Sequence, residues 1–142
     1  MINLHPILLV EDDAVDVMTI KRALKDVGTE NEIIHFVNGE QALDYLRGEN
    51  HREPCIIILD LNMPRMNGLE FLKVLKAEPG MRKIPVVVLT TSTNEKDVIE
   101  SFENCVAGYM VKPADYERFV DIMKVISGYW KVSELACRSK EQ

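Results

Sequence analysis

"ILDLNMPRMNG", residues 58–68, is the stretch that decides the fold. It continues a run of pure hydrocarbon, Ile56-Ile57-Ile58-Leu59, and ends that run on a carboxylate, Asp60, with no neutral polar residue between. Pro64 and Gly68 then break the chain. Four consecutive apolar residues followed by turn chemistry predict a short strand buried on both faces. A charge at the tip of a buried strand is costly unless something pairs with it. The partners have to come from elsewhere in the chain.

Outward from Asp60 the same pattern repeats. Ile7-Leu8-Leu9-Val10, Ile33-Ile34-His35-Phe36-Val37, Val86-Val87-Val88-Leu89 and Gly108–Val111 read as four further strands. Helical spacing lies between them. Val17, Ile20, Leu24 and Val27 recur at that spacing until Gly28, "GEQALDYLRG" is a short helix bounded by glycines, and Leu69, Leu72 and Leu75 lead to Pro79-Gly80. Ser92-x-x-Glu95 predicts a capping box opening the helix that carries Val98, Phe102 and Cys105. A last helix is expected from about Asp115 to Trp130. Five βα units in series predict a doubly wound α/β domain, a five-stranded parallel sheet with helices on both faces. The flavodoxin-like strand order 2-1-3-4-5 is the common choice, and ligands of such sheets bind beyond the carboxyl ends of the strands.

Composition agrees with one domain and narrows its partners. The 142 residues are 46% hydrophobic and 28% charged, with a net charge of -6. An acidic chain does not advertise binding to nucleic acid or anionic membrane. No apolar run reaches the roughly 18 residues of a membrane span, and "MINLHPILLVEDD" has no basic region typical of a signal peptide. Cys55, Cys105 and Cys137 are odd in number and widely spaced, which points to a reducing cytoplasm rather than a disulfide framework. His5, His35 and His51 show no ligand spacing.

The predicted topology gathers chemistry at one edge. The strands end in Glu11-Asp12-Asp13, in Asp60, in Thr90-Thr91 and in Lys112-Pro113. Taken singly, each has an ordinary role as a cap or a loop residue, and Asp13 is expected to cap the first helix. Together they place several carboxylates, a hydroxyl and an ammonium side by side. Clustered carboxylates raise one another's pKa, and Mg²⁺ removes that conflict with few protein ligands. Asp60 is then a carboxylate nucleophile. The ion and Lys112 offset charge on a transferring phosphoryl group, and Thr90 can hydrogen-bond one of its oxygens.

In order and spacing, "LLVEDD", "LDLNMPRMNG", "IPVVVLTTS" and "GYMVKP" resemble the receiver domain of two-component response regulators, the CheY-like family, over roughly residues 7–130. The resemblance implies that Asp60 is the phosphoacceptor and that Glu11 and Asp12 are the acidic pair, with Asp12 the direct metal ligand. It also implies that Asn62 lends a backbone carbonyl to Mg²⁺, and that Thr90 and Lys112 bind the phosphoryl group. Tyr109 takes the aromatic switch position, and the Lys112–Pro113 bond is expected to be cis. Two positions depart from the usual pattern, Thr91 after Thr90 and Ala114 after Pro113. With "ALDYLRG", "VLTTS" and the closing "YW", they narrow the resemblance to stand-alone regulators paired with phytochrome-type histidine kinases.

The resemblance implies a single receiver domain at residues 1–130 and a tail at 131–142 with no output domain, signalling by protein contact or by passing the phosphoryl group on. A histidine kinase is the implied partner. A catalytic alternative, an aspartate-nucleophile phosphohydrolase, usually carries a second acid two residues after the nucleophile, where Asn62 stands here. A flavodoxin-like cofactor binder lacks its phosphate loop after the first strand, and a pseudo-receiver scaffold would not keep every acid. Two apolar stripes run along the last helix: Phe119, Ile122, Ile126 and Tyr129, and Tyr116, Val120, Met123 and Trp130. The second is expected either to widen the buried face or, with the fifth strand, to form a homodimer anchored on Met123 or Trp130.

Overall fold

The computed structural model describes residues 5–133; Cys137 and the tail from 134 onward lie outside the described residues. The elements alternate strictly: β1 (Ile7–Val10), α1 (Ala14–Asp26), β2 (Ile33–Phe36), α2 (Gly39–Arg47), β3 (Ile56–Leu59), α3 (Gly68–Ala77), β4 (Val86–Thr90), α4 (Glu95–Glu103), β5 (Gly108–Val111) and α5 (Tyr116–Val132). All strand pairs are parallel, in the order β2-β1-β3-β4-β5. Every strand carboxyl end therefore faces one edge, as expected.

The hydrocarbon runs divide by alternation between two cores. Ile7, Leu9, Ile56, Ile58, Val87 and Leu89 meet α1 and α5 on one face. Leu8, Val10, Ile57, Leu59, Val86 and Val88 meet α2 and α3 on the other. A strand buried on both sides has no polar position to spare, which is why β1, β3 and β4 read as unbroken apolar runs.

The last helix settles the question of its two stripes. Met123 is fully buried and Trp130 is 2% exposed, both in the same core as Phe119 and Ile126. Tyr116, Val120 and Ile122 pack against that core from its margin. Residues of both stripes thus form one wide face, because α5 packs beside α1 on the same side of the sheet; Tyr129, the end of the first stripe, stays exposed. Met123 and Trp130 cannot anchor a homodimer while they fill this core.

Two local expectations also change. Asn94, not Ser92, caps α4; its side chain accepts from the Lys96 N–H at 2.9 Å, while the Ser92 hydroxyl donates to Asp97 at 2.5 Å. A capping box does occur, at the start of α3, between Asn67 and Glu70. Every described peptide bond is trans, Lys112–Pro113 included, so the cis bond implied by the resemblance is absent; trans is the lower-energy form even before proline.

Gly68 explains the end of the opening motif. A Cβ there would lie 2.4 Å from the Asp60 carbonyl oxygen and 2.6 Å from Leu61 Cα. The loop after Asp60 folds back so tightly that α3 starts against the backbone of the residue it serves, and only glycine permits that approach. Arg65 takes the turn with φ 62°.

Candidate functional site

Sheet hydrogen bonding runs past the strand ends and fixes the residues there. Glu11 N–H donates to Phe36 O at 3.0 Å, Asp60 N–H to Val10 O at 3.0 Å, and Lys112 N–H to Thr90 O at 2.8 Å. The side chains are thus mounted on backbone held by the sheet. Asp13 turns away to cap α1, accepting from Val15 and Asp16 N–H groups, as the sequence predicts.

Carboxylate oxygens of Glu11, Asp12 and Asp60 lie within 4.8 Å of one another. Glu11 is 1% exposed and Asp60 6%, whereas Asp12 is open to solvent. Asp60 Oδ1 is buried with no hydrogen-bond partner. An orphaned carboxylate oxygen inside an oxygen-only cluster is what a hard divalent cation satisfies. The residues present therefore fit Mg²⁺. Asn62 is exposed and shares with Asp12 and Asp60 the wall of a cavity of about 530 Å³, so the loop after Asp60 borders the same space.

Lys112 crosses into this cluster from β5. Its Nζ donates to Glu11 Oε1 at 2.6 Å and to Asp16 Oδ2 at 2.8 Å, and stands 3.7 Å from Asp60 Oδ2. Burial works to lower the lysine pKa, but the hydrogen bonds to Asp16 and Glu11 and the charge of Asp60 outweigh it, so the pKa is raised. Burial is also the main influence on Glu11, with the Asp60 charge adding to it. Although Lys112 pulls the other way, the Glu11 carboxyl is raised to about 7. One lysine does not neutralise this edge.

Thr90 is fully buried, and its Oγ1 accepts from the Ser92 N–H at 3.3 Å. Tyr109 is half-buried against the second core, its hydroxyl donating to Ser92 O at 2.9 Å. Ser92 thus touches both Thr90 and Tyr109. Thr91 is exposed and lines the cavity beside Asp60.

Two residues at the site were not singled out from sequence. Asp16 reaches Lys112 from the first turn of α1. Its position one helical turn past Asp12 could have placed it beside the acidic pair. His35, on β2, donates through Nε2 to the Glu11 carbonyl at 2.6 Å and steadies that turn; nothing in its spacing announces this.

A family model described as the response regulator receiver domain matches residues 7–124. The chain belongs to the receiver family of two-component response regulators. Among similar proteins, this receiver is 38% identical to the response regulator Rcp1 of Synechocystis sp., over 87% of each chain. It is 39% identical to the probable methanogenesis regulatory protein FilR2 of Methanothrix harundinacea, over 87% of this chain and 82% of that one. Among solved structures, the phosphorylated cyanobacterial phytochrome response regulator RcpA superposes with a TM-score of 0.88 at 37% identity, covering 94% of this receiver and 99% of RcpA. The Mn²⁺-bound form of Rcp1 gives 0.84 at 38% identity, over 92% and 98%. No helix among the described residues is long and apolar enough to cross a membrane.

Proposed function

We propose that this receiver is a phosphorylation-driven switch in which Asp60 accepts a phosphoryl group from the phosphohistidine of a histidine kinase. The observation that carries this reading is the buried Asp60 carboxylate, its Oδ1 without a hydrogen-bond partner, set between Glu11, Asp12 and Lys112. An Asp60 oxygen attacks phosphorus, the new O–P bond of an acyl phosphate forms, and the P–N bond breaks with its electron pair returning to the imidazole. Glu11, Asp12, Asp60 and the Asn62 carbonyl would hold Mg²⁺, which supplies charge neutralisation for the phosphoryl oxygens. Lys112 pairs with one phosphoryl oxygen and Thr90 hydrogen-bonds another. Movement of Thr90 toward that oxygen would lengthen the 3.3 Å contact from the Ser92 N–H and so loosen the loop whose carbonyl holds Tyr109. That is a two-state equilibrium biased by a new charge.

Rcp1 and RcpA support a phytochrome-type kinase as the donor, since RcpA is a phytochrome response regulator by name. Output is by protein contact, with transfer of the phosphoryl group to another carrier as the second route. The surface around Tyr109 suits contact: Ile99 and Phe102 of α4 and Val111 of β5 are exposed. A homodimer could use this surface, with Tyr129, Val125 and Val132 exposed on α5 as a second. The protein catalyses only its own phosphorylation and dephosphorylation, and works in the cytoplasm.

Labelling with acetyl phosphate, read by intact mass, tests the core of this reading. Wild type gains one phosphoryl group in Mg²⁺ and none in EDTA, and Asp60→Asn gains none. Equal labelling with and without the metal, or full labelling of the variant, would sink it.

A further inference from the structure

A lysine ammonium has three N–H donors. Lys112 spends two of them on Glu11 at 2.6 Å and Asp16 at 2.8 Å, and stays beyond hydrogen-bond range of Asp60 at 3.7 Å. Asp16 lies 96 residues away in sequence and on a different element. An acid in the first turn of a helix is favoured by the helix dipole alone, but that preference does not require it to meet a lysine on β5. Asp16 and Lys112 both line the cavity beside Asp60 and a second one of about 430 Å³ between α1 and the start of α5.

The two partners of the lysine differ in burial. Glu11 is 1% exposed at its side chain, Asp16 33%. A buried carboxylate stripped of its counter-charge is costly to leave behind, whereas a part-exposed one is rehydrated and loses little. If the ammonium moves, Asp16 is the partner that lets go.

We propose that Asp16 is a positioning residue that anchors Lys112 in the resting receiver, so that phosphoryl capture at Asp60 draws the ammonium off Asp16 and exchanges that contact for a lysine–phosphoryl contact. This rests on the assignment of Asp60 as phosphoacceptor. Asp16 then acts as a brake: it holds the ammonium on the α1 side and sets how readily the modified state is reached. It touches neither the phosphoryl group nor the cation.

The test uses full-length wild type, Asp16→Asn, Lys112→Ala and the double variant. Affinity for beryllofluoride, a phosphoryl analogue, is measured by calorimetry in saturating Mg²⁺. Asp16→Asn binds it about fivefold more tightly, the scale of a charge-assisted hydrogen bond discounted for exposure. In the Lys112→Ala background the same change gains less than about twofold, because the effect runs through the lysine. Asp16→Glu, which keeps the charge, restores wild-type affinity. An equal gain in both backgrounds means that Asp16 acts by general charge, and overturns the proposal. A crystal structure of Asp16→Asn gives a second readout. Lys112 Nζ closes from 3.7 Å to hydrogen-bond distance from Asp60, and an unmoved lysine also overturns it. Should none of the four proteins bind beryllofluoride, the Asp60 assignment falls, and the crystallographic distance still decides whether Asp16 holds the lysine.

Discussion

Leu59 and Asp60 are neighbours across the end of β3, 0% and 6% exposed, and Val10 and Glu11 repeat the pair at the end of β1 at 0% and 1%. The hydrocarbon member of each pair sits among side chains of its own kind in the core beneath α2 and α3. The carboxylate member does not. Asp60 keeps an oxygen without a partner, and Glu11 is forced up to about 7 by burial. One peptide bond separates a matched environment from a mismatched one. The interior of the sheet supplies the stability that its carboxyl edge gives up, and that edge is where a cation and a phosphoryl group would restore the balance.

The sharpest way to break this comparison is to weaken the matched side. Ile58 is 1% exposed in the middle of β3. Ile58→Ala should cost about 3–4 kcal/mol, as large-to-small changes in closed cores do. Urea denaturation reads the loss, and Mg²⁺-dependent labelling of the protein still folded should persist. A loss under about 1 kcal/mol would show that the interior is not what carries the edge.

A smaller effect tests the mismatched side. In the unfolded chain Glu11 titrates near 4.5, and in the folded, metal-free protein near 7. Between those values the folded state binds the extra proton, so stability falls as pH rises from about 4.5 to about 7 and levels off above. The fall should be roughly 3 kcal/mol. Saturating Mg²⁺ favours the ionised carboxylate and should flatten it, as should Glu11→Gln. Urea midpoints at pH 5 and pH 7.5, in EDTA and in Mg²⁺, give the four numbers needed. A metal-free protein more stable at the higher pH contradicts the assigned mismatch.

Asp60→Asn should act in the same direction with less force. The amide is nearly isosteric and removes one of the clustered charges, so the metal-free variant should melt higher, by about 1 kcal/mol of stability, while losing all labelling. If it melts lower instead, Asp60 is better paired than its orphaned oxygen suggests.

The difference between the two regions also explains what the sequence could show. Runs such as Ile56–Leu59 and Val86–Leu89 announce buried parallel strands because burial on both faces permits no polar residue, and the strand ends follow directly. Asp60, Glu11, Asp12, Thr90 and Lys112 were legible for that reason: each is the first polar residue after hydrocarbon, or close to it. Contacts that cross between elements leave no such mark. Asp16 reads as an ordinary first-turn acid and His35 as one residue of an edge strand until the fold brings them to Lys112 and Glu11. Met123 and Trp130 fail in the opposite sense. Helical spacing shows that they share a stripe, but not that α5 packs residues of both stripes into the core beside α1. Ser92 was read as a cap because the capping pattern is local, whereas its hydroxyl is drawn to Asp97 and its backbone serves Thr90 and Tyr109.

That last group gives the smallest effect and the most informative about how the two regions communicate. Tyr109 is bound to the site edge through one hydrogen bond, from its hydroxyl to Ser92 O at 2.9 Å. Ser92 N–H in turn donates to Thr90 Oγ1 at 3.3 Å. Tyr109→Phe removes the first link and leaves the second, and the ring still packs against Leu8's core. Stability should fall by less than about 1 kcal/mol, the net worth of one neutral hydrogen bond. Labelling of Asp60 should be unchanged, since no atom of Tyr109 is needed there. What should change is transmission. In wild type, beryllofluoride with Mg²⁺ should shift the amide resonances of α4 and β5, because Thr90 releases the loop and Tyr109 follows it. In Tyr109→Phe the shifts should remain at Thr90–Ser92 and shrink by about half or more along α4, as expected when the second site loses its share of a two-state coupling. Equal shifts along α4 in both proteins would mean that the edge reaches the surface by another path and that Tyr109 belongs only to the matched side.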